Sequence, residues 1–360
     1  MEALCITFVA IISLVIFFGK IGSRFQGLLN DSYREAESIV RHPAGYPRTK
    51  TDCYEIAYSF ESEDCVYQSY NECEKNPQHD GFIPINDVSI VSFPPYYQTQ
   101  SLVDLTFALA AVTVKLSIFY VSEDRPKTFA DKEIPYPFGE TSGKSIFLKG
   151  SGRIRFVNKY PFYDNKTCPC ARCTHSTAPK KDWWMVGVVT AAHVVFDEKE
   201  AKSTRCRVDY NTEVKELKPE NSLQGYGIAE RGVFVEEDRS NVLFCTHDSS
   251  LAAELESRVA HYKAQCEKVV EEFQDNAERE LVIVVSHPHG RAKCASIGRA
   301  ERRLKVETGF TKYEYSVATC PGTSGAPVYM LDRTKLPFCN HPHSAAFKEK
   351  DNSGYSAGGY

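Results

Sequence analysis

Two short segments carry residue types able to perform acyl transfer. Val189-Thr190-Ala191-Ala192-His193-Val194-Val195 runs an apolar stretch straight into a histidine. Cys320-Pro321-Gly322-Thr323-Ser324-Gly325-Ala326-Pro327 flanks a serine with glycines just before another apolar stretch. Acyl transfer needs a hydroxyl nucleophile, a neutral imidazole to take its proton, and backbone N–H groups aimed at the developing oxyanion. Ser324 supplies the hydroxyl and His193 the base. Gly322 permits a turn in which its own N–H and that of Ser324 point to one spot, and Gly325 leaves space beside the nucleophile. Either motif alone is a common structural feature. Both together, in this order and in a β-rich chain, point to nucleophilic catalysis.

A second group of reactive residues lies just upstream of the histidine segment. Cys168, Cys170, Cys173 and His175 offer three thiols and an imidazole, a set able to hold zinc tetrahedrally. The spacing C-x-C-x-x-C-x-H is tight and C-x-C is not a common zinc hook, so disulfides or free thiols compete with that reading. No cofactor is expected beyond the zinc this cluster could hold.

T-A-A-H followed by G-x-S-G-x-P resembles the trypsin-like (chymotrypsin-like, PA-clan) serine proteases, over roughly residues 110 to 347. Gly150-Ser151-Gly152 is similar to the G-S-G that opens the first barrel in the high-temperature-requirement branch. The resemblance implies two antiparallel six-stranded β-barrels and a serine endopeptidase acting on polypeptides through an acyl-enzyme on Ser324. His193 is then the general base, and the Gly322 and Ser324 N–H groups form the oxyanion hole. The resemblance also places an acid between the motifs, at the start of a D-h-A-L-like strand. Asp248, in Asp248-Ser249-Ser250-Leu251-Ala252, matches best although its spacing is one residue long, and Asp238 is second. Asp248 is the expected acid, with the cap of a helix starting at Ser249 as its alternative role.

Departures from the digestive enzymes are informative. Thr323 stands where zymogens carry the aspartate that pairs with a newly cut N-terminus, and Val194 replaces a cysteine that normally forms a disulfide. Cys320 has only Cys339 as a candidate for its family partner. These features resemble the intracellular and viral branches. Ala318, six before the serine, corresponds to the floor of the primary pocket and brings no charge, which argues against an Arg/Lys preference. His343 in His343-Ser344-Ala345-Ala346 loosely resembles the histidine with which picornaviral proteases read glutamine, but it reads more readily as an ordinary wall-strand residue.

The surrounding pattern predicts a mainly β chain. Val112 to Val121, Ser145 to Leu148, Gly150 to Val157, Trp183 to Thr190, Val242 to Cys245, Leu281 to Val285, Lys312 to Val317 and Ala326 to Leu331 read as short strands. Between the strand groups, Leu251, Leu255, Val259, Tyr262, Cys266, Val269, Val270 and Phe273 recur every three or four residues, which predicts an amphipathic helix over about 249–273. The expected layout is a separate cysteine-containing region over 20–105, one barrel over 106–248, the helical connection over 249–279, a second barrel over 280–347, and a flexible tail over 348–360.

Bulk properties narrow the class further. Hydrophobic residues make up 42% and charged residues 25%, ordinary for a protein with a full core, and a net charge of −4 leaves no nucleic-acid footprint. The thirteen cysteines fit an oxidised or a reduced compartment. Leu4 to Phe18 is an uncharged run, apolar but for Thr7 and Ser13, read as a signal peptide or, since no cation precedes it, an N-terminal membrane anchor. That segment places the chain at a membrane or in the secretory pathway, with the orientation and oligomeric state open. Two other classes compete with the protease reading: an inactive relative that only binds, and a membrane-tethered receptor.

Overall fold

The computed structural model describes residues 52–129, 134–160, 167–213, 222–235, 237–274, 280–305, 310–331, 342–347 and 353–359. Fifteen strands and five α-helices among them are numbered in chain order. The strands are β1 (Asp52–Cys53), β2 (Ala57–Ser59), β3 (Ile83–Pro84), β4 (Thr113–Tyr120), β5 (Ser145–Lys159), β6 (Trp184–Thr190), β7 (Thr204–Arg207), β8 (Ser222–Phe234) and β9 (Arg239–Thr246). They continue with β10 (Leu281–Ser286), β11 (Cys294–Lys305), β12 (Phe310–Ser316), β13 (Val328–Met330), β14 (His343–Phe347) and β15 (Ser353–Gly359). The helices are α1 (Glu63–Gln68), α2 (Gln100–Val112), α3 (Ala171–Thr174), α4 (Glu198–Lys202) and α5 (Ser249–Glu272).

The β-branched runs that announced strands in the sequence build a closed antiparallel barrel. Its order is β5-β4-β7-β8-β9-β6, with β6 pairing back onto β5. β5 is one fifteen-residue strand where two short ones were expected. Gly150 and Gly152 do not break it. A Cβ at either would lie 2.8 Å from a methyl of Val194 or Val188, so these glycines let the barrel wall close on itself. The second sheet runs β14-β15-β12-β11-β10-β13, all antiparallel, and Pro327 bridges to Pro342 where β13 and β14 begin. The interior side chains of the first barrel, the apolar face of α5, α2 and one face of β10 form one continuous apolar core, which fixes the two sheets against each other.

α5 forms over the predicted span and buries Leu255, Val259, Tyr262, Cys266 and Val269 of the predicted stripe, with Ala252 beside them, while Leu251 and Val270 are half-buried. Two expectations are corrected. Residues 20–105 do not stand apart where they are described. Tyr46 to Tyr360 is one compact unit, and β1, β2 and β3 add to β14, β5 and β11. The tail contains β15, which fills the gap between β14 and β12 and gives their backbone groups partners. The apolar run 4–18 lies outside the described residues, and no described helix is long and apolar enough to cross a membrane.

Candidate active site

β6 ends at Thr190, and a tight turn follows in which Ala191 O accepts from both Val194 N and Val195 N. His193 is presented from that turn. Arg125 holds its backbone: Nη1 donates to His193 O at 2.9 Å, while the guanidinium pairs with buried Glu200 at 2.6 Å. Glu200 in turn accepts from Phe196 N and Ser122 N. A buried ion pair therefore fixes the segment on both sides of the histidine.

Ser324 sits in a turn closed by Thr323 N to Cys320 O (2.9 Å) and Cys320 N to Thr323 Oγ1 (3.1 Å). Gly322 and Gly325 take φ of +99° and +81°, and a Cβ at Gly322 would lie 2.5 Å from His287 O. Only glycine fits there. Ser151, from the G-S-G segment, locks the turn from behind. Its N–H donates to Ser324 O at 2.8 Å and its hydroxyl to Gly322 O at 2.9 Å.

These elements bring His193 Nε2 to 2.8 Å from Ser324 Oγ. His193 Nδ1 meets Asp238 Oδ2 at 2.6 Å, and His193 N donates to Asp238 Oδ1 at 3.0 Å. Ser344 Oγ donates to the same carboxylate. With Nδ1–H held by Asp238, Nε2 is left as the acceptor facing the hydroxyl.

The partner of His193 is therefore Asp238 and not Asp248. Asp248 caps α5, its Oδ1 accepting from Ser250 N and Leu251 N at 2.9 and 3.0 Å. The physical reason is strand length. β9 places Ser240 opposite Thr190, next to the histidine turn, and Thr246 opposite Trp184 at the far end of β6. Seven rises of ~3.3 Å along the strand separate the two ends by ~23 Å. Asp238 escaped the motif because Arg239-Ser240-Asn241 after it is polar, unlike the family's apolar pattern.

The cleft is filled by the chain's own residues 53–59, which the sequence did not foreshadow. Glu55 O accepts from both Gly322 N (2.7 Å) and Ser324 N (3.2 Å), the two groups expected to form the oxyanion hole. β1 adds antiparallel to β14, and β2 adds to β5 on the other side. The Tyr54 ring meets His193 edge-on, with centroids 4.8 Å apart. His193 and Ser324 are both fully buried as a result.

The Glu55 side chain enters a buried polar pocket. Oε2 pairs with His343 Nε2 at 2.7 Å and Oε1 with Lys75 Nζ at 2.6 Å, and Lys75 also donates to Thr319 Oγ1 at 2.7 Å. Tyr315 OH lies at 2.5 Å from His343 Nδ1 and fixes that ring from behind. Burial alone would raise the Glu55 carboxyl, but Lys75 and His343 together pull it down to about 2. Of the two expected pocket residues, His343 thus meets a carboxylate. Ala318 is buried, and its neighbour Thr319 provides the polar contact.

The cysteine cluster is partly as expected. Cys168, Cys170 and Cys173 converge with His247, their ligand atoms all within 4.8 Å of one another. His247 Nε2 lies 3.4 Å from Cys173 Sγ and 3.6 Å from Cys170 Sγ. His175 is corrected out of the set: α3 ends there and leaves it exposed, while β9 delivers His247 at the end of its run beside Cys245. Three sulfurs and one imidazole nitrogen match a structural zinc donor set.

No family model matches the chain, and no curated protein matches it. Among solved structures it is similar to an inactive form of the M. tuberculosis protease Rv3671c, with 12% identity over 72% of this chain and 90% of that one and a TM-score of 0.35. It is also similar to the HtrA-type protease AlgW with a tripeptide, with 11% identity over 72% of this chain and 60% of that one and a TM-score of 0.37. Likeness of that order decides nothing by itself. The closed six-stranded barrel, the second sheet, and His193 facing Ser324 across them are the chymotrypsin-like arrangement that the motifs resemble.

Proposed function

We propose that the protein is a serine endopeptidase. The reaction runs through an acyl-enzyme on Ser324, with His193 as general base and Asp238 as the carboxylate that orients it. The observation carrying this reading is the unbroken chain from Asp238 Oδ2 through His193 to Ser324 Oγ, at 2.6 and 2.8 Å. In the forward step Ser324 Oγ adds to a peptide carbonyl while Nε2 takes its proton. The carbonyl oxygen becomes an oxyanion between Gly322 N–H and Ser324 N–H, where preorganised donors contribute most to catalysis. The imidazolium, stabilised by Asp238, then protonates the departing amine. Water repeats the sequence on the ester. An inactive binding module would not need two N–H donors, an oriented imidazole and a hydroxyl converging on one carbonyl position.

Zinc on Cys168, Cys170, Cys173 and His247 fits a structural role in this reading. The cluster tethers the 167–175 segment to the end of β9, and none of the groups placed at the reacting atoms belongs to it.

A fluorophosphonate probe tests the assignment. Intact-mass and peptide analysis should find one adduct per chain, on Ser324, and none in Ser324→Ala. Because residues 53–59 cover the hydroxyl, Glu55→Lys should be labelled alongside, since its cation faces Lys75. Absence of an adduct in both chains would overturn the proposal.

A further inference from the structure

We propose that residues 53–59 are the enzyme's own substrate, that the bond cut is Glu55–Ile56, and that glutamate is the residue this cleft selects on the acyl side. This rests on the endopeptidase reading and names its specificity. Four independent contacts agree on the register. The Glu55 carbonyl occupies both oxyanion donors. The residues before it form an added edge strand on β14, with Cys53 opposite Ala346, the usual way an extended peptide is held. The residues after it leave on the other side of the nucleophile along β5, with Ala57 opposite Lys149. The Glu55 carboxylate fills a pocket whose charge complement is already in place, His343 backed by Tyr315 and Lys75 backed by Thr319.

The chemistry balances without any added reagent but water. Ser324 Oγ adds to the Glu55 carbonyl carbon, and the C–N bond to Ile56 breaks as His193 returns the proton to the Ile56 nitrogen. Water then hydrolyses the Glu55 ester, giving a free Glu55 carboxylate and regenerating Ser324. The products are 1–55, which carries the apolar run 4–18, and 56–360, which carries all the catalytic groups.

N-terminal sequencing and intact mass of the purified full chain test this. The wild type should yield a chain beginning at Ile56, and Ser324→Ala should not. Glu55→Lys should abolish the cut while keeping probe labelling of Ser324. A synthetic peptide covering 50–62 should be cut after glutamate and, with lysine there instead, at least on the order of 10⁴-fold more slowly, because the pocket's donors would be left unpaired. Probe labelling of Ser324 with neither the full chain nor the peptide cut would overturn the self-substrate inference and leave the endopeptidase reading standing. Loss of labelling in every chain would fell the endopeptidase reading itself.

A different observation carries a second inference. We infer a zinc site formed by Cys73, His79, His289 and Cys320. All four are buried and their ligand atoms lie within 4.8 Å of one another. His79 Nε2 and His289 Nε2 are buried without a hydrogen-bond partner, which is costly for an imidazole unless something binds there. The remaining nitrogen of His289 is held by Ser69 Oγ at 2.9 Å, as the second nitrogen of a ligating histidine usually is. Asn76 donates to both sulfurs, from N to Cys73 at 3.5 Å and from Nδ2 to Cys320 at 3.3 Å, the arrangement that favours thiolates. Two sulfurs and two imidazole nitrogens suit tetrahedral zinc. Zinc there would rivet residues 73–79 to the two turns that shape the oxyanion hole, since His289 N donates to Pro321 O.

Metal content of the purified full chain by mass spectrometry, in Cys73→Ser and His79→Ala beside wild type, reads the site directly. Each variant should hold one zinc fewer per chain than wild type, while the exposed His175→Ala should hold the same amount. Cobalt exchanged into wild type should give the absorption of tetrahedral thiolate-ligated cobalt, weakened in both variants. Equal metal in all chains, or a Cys73–Cys320 disulfide found by mass under non-reducing conditions, would overturn it.

Discussion

Replacing Asp238 by asparagine separates the two candidate acids and follows directly from the geometry. The carboxylate accepts from His193 N on Oδ1, and from His193 Nδ1 and Ser344 Oγ on Oδ2. An amide has one oxygen. If that oxygen keeps the His193 N–H, its NH₂ faces Nδ1, which must then give up its proton and become the acceptor. The proton moves to Nε2, and Nε2 can no longer accept from Ser324 Oγ. Loss of the correct tautomer in a trypsin-like triad lowers turnover about 10⁴-fold, which is about 5.4 kcal/mol of transition-state stabilisation. The fold should lose less, ~1.5–3 kcal/mol for a buried charge-assisted bond. Asp248→Asn is the control. Asparagine caps a helix about as well as aspartate, so both activity and stability should stay near wild type. The assay is hydrolysis of a glutamate-containing peptide with unfolding followed in parallel. Asp238→Asn activity within tenfold of wild type, or collapse in Asp248→Asn alone, would refute the assignment.

Three further outcomes are expected. Gly322→Ala forces a Cβ to 2.5 Å from His287 O at a left-handed backbone position, and should lower Ser324 labelling about 10²–10³-fold by misaiming one oxyanion donor; labelling at the wild-type rate would count against that donor. Arg125→Ala leaves Glu200 buried without its cation and should cost about 3–5 kcal/mol in denaturant unfolding, with a cost below about 1 kcal/mol refuting the buried-pair argument. Glu55 is depressed from 4.5 to about 2, so its contribution to docking is present above the ordinary carboxyl range and is lost as pH falls through about 2. In the uncut Ser324→Ala chain, hydrogen exchange should show residues 53–59 protected at pH 4, and release with a midpoint near pH 5 would contradict the pairing.

What the sequence disclosed was set by distance along the chain. His193 and Ser324 were legible because each motif is a local device: a buried strand into a turn, and a glycine turn closed by hydrogen bonds between Cys320 and Thr323. α5 was legible because its stripe repeats within one segment. Asp238 ranked only second, because the carboxylate that reaches His193 is chosen by β6–β9 register, while the segment closer to the family's motif starts a helix. His247 displaced His175 for the same reason: the fourth ligand arrives on a different strand, 74 residues after Cys173. The strand at 353–359 has its partners in β12 and β14, and a glycine-rich end offers no periodicity from which to read them.

The N-terminal region shows the same logic at the scale of function. Its composition suggested an independent module, yet its described residues serve the cleft in two separable ways. Residues 53–59 lie in the cleft as a peptide, whereas α1 and the segment after it are bound to its walls. Glu63 pairs with buried Lys149, Tyr67 OH accepts from Lys115, and Cys73 and His79 meet His289 and Cys320. All of the second group follow Ile56 in the chain. Cutting at Glu55–Ile56 would therefore leave the wall contacts and the proposed zinc on the catalytic fragment. Among its described residues, the 1–55 product would keep the β1–β14 pairing, the Tyr54 ring contacts and the Glu55 pocket. Before the cut the segment is tethered at an effective concentration far above that of free peptides, so it excludes other substrates. After the cut that advantage is gone and the product must compete by affinity alone. A single hydrolysis would thus both free the catalytic fragment from residues 4–18 and open its cleft. The pocket residues that recognise Glu55, His343 and Lys75 among them, are those that would then select the next substrate.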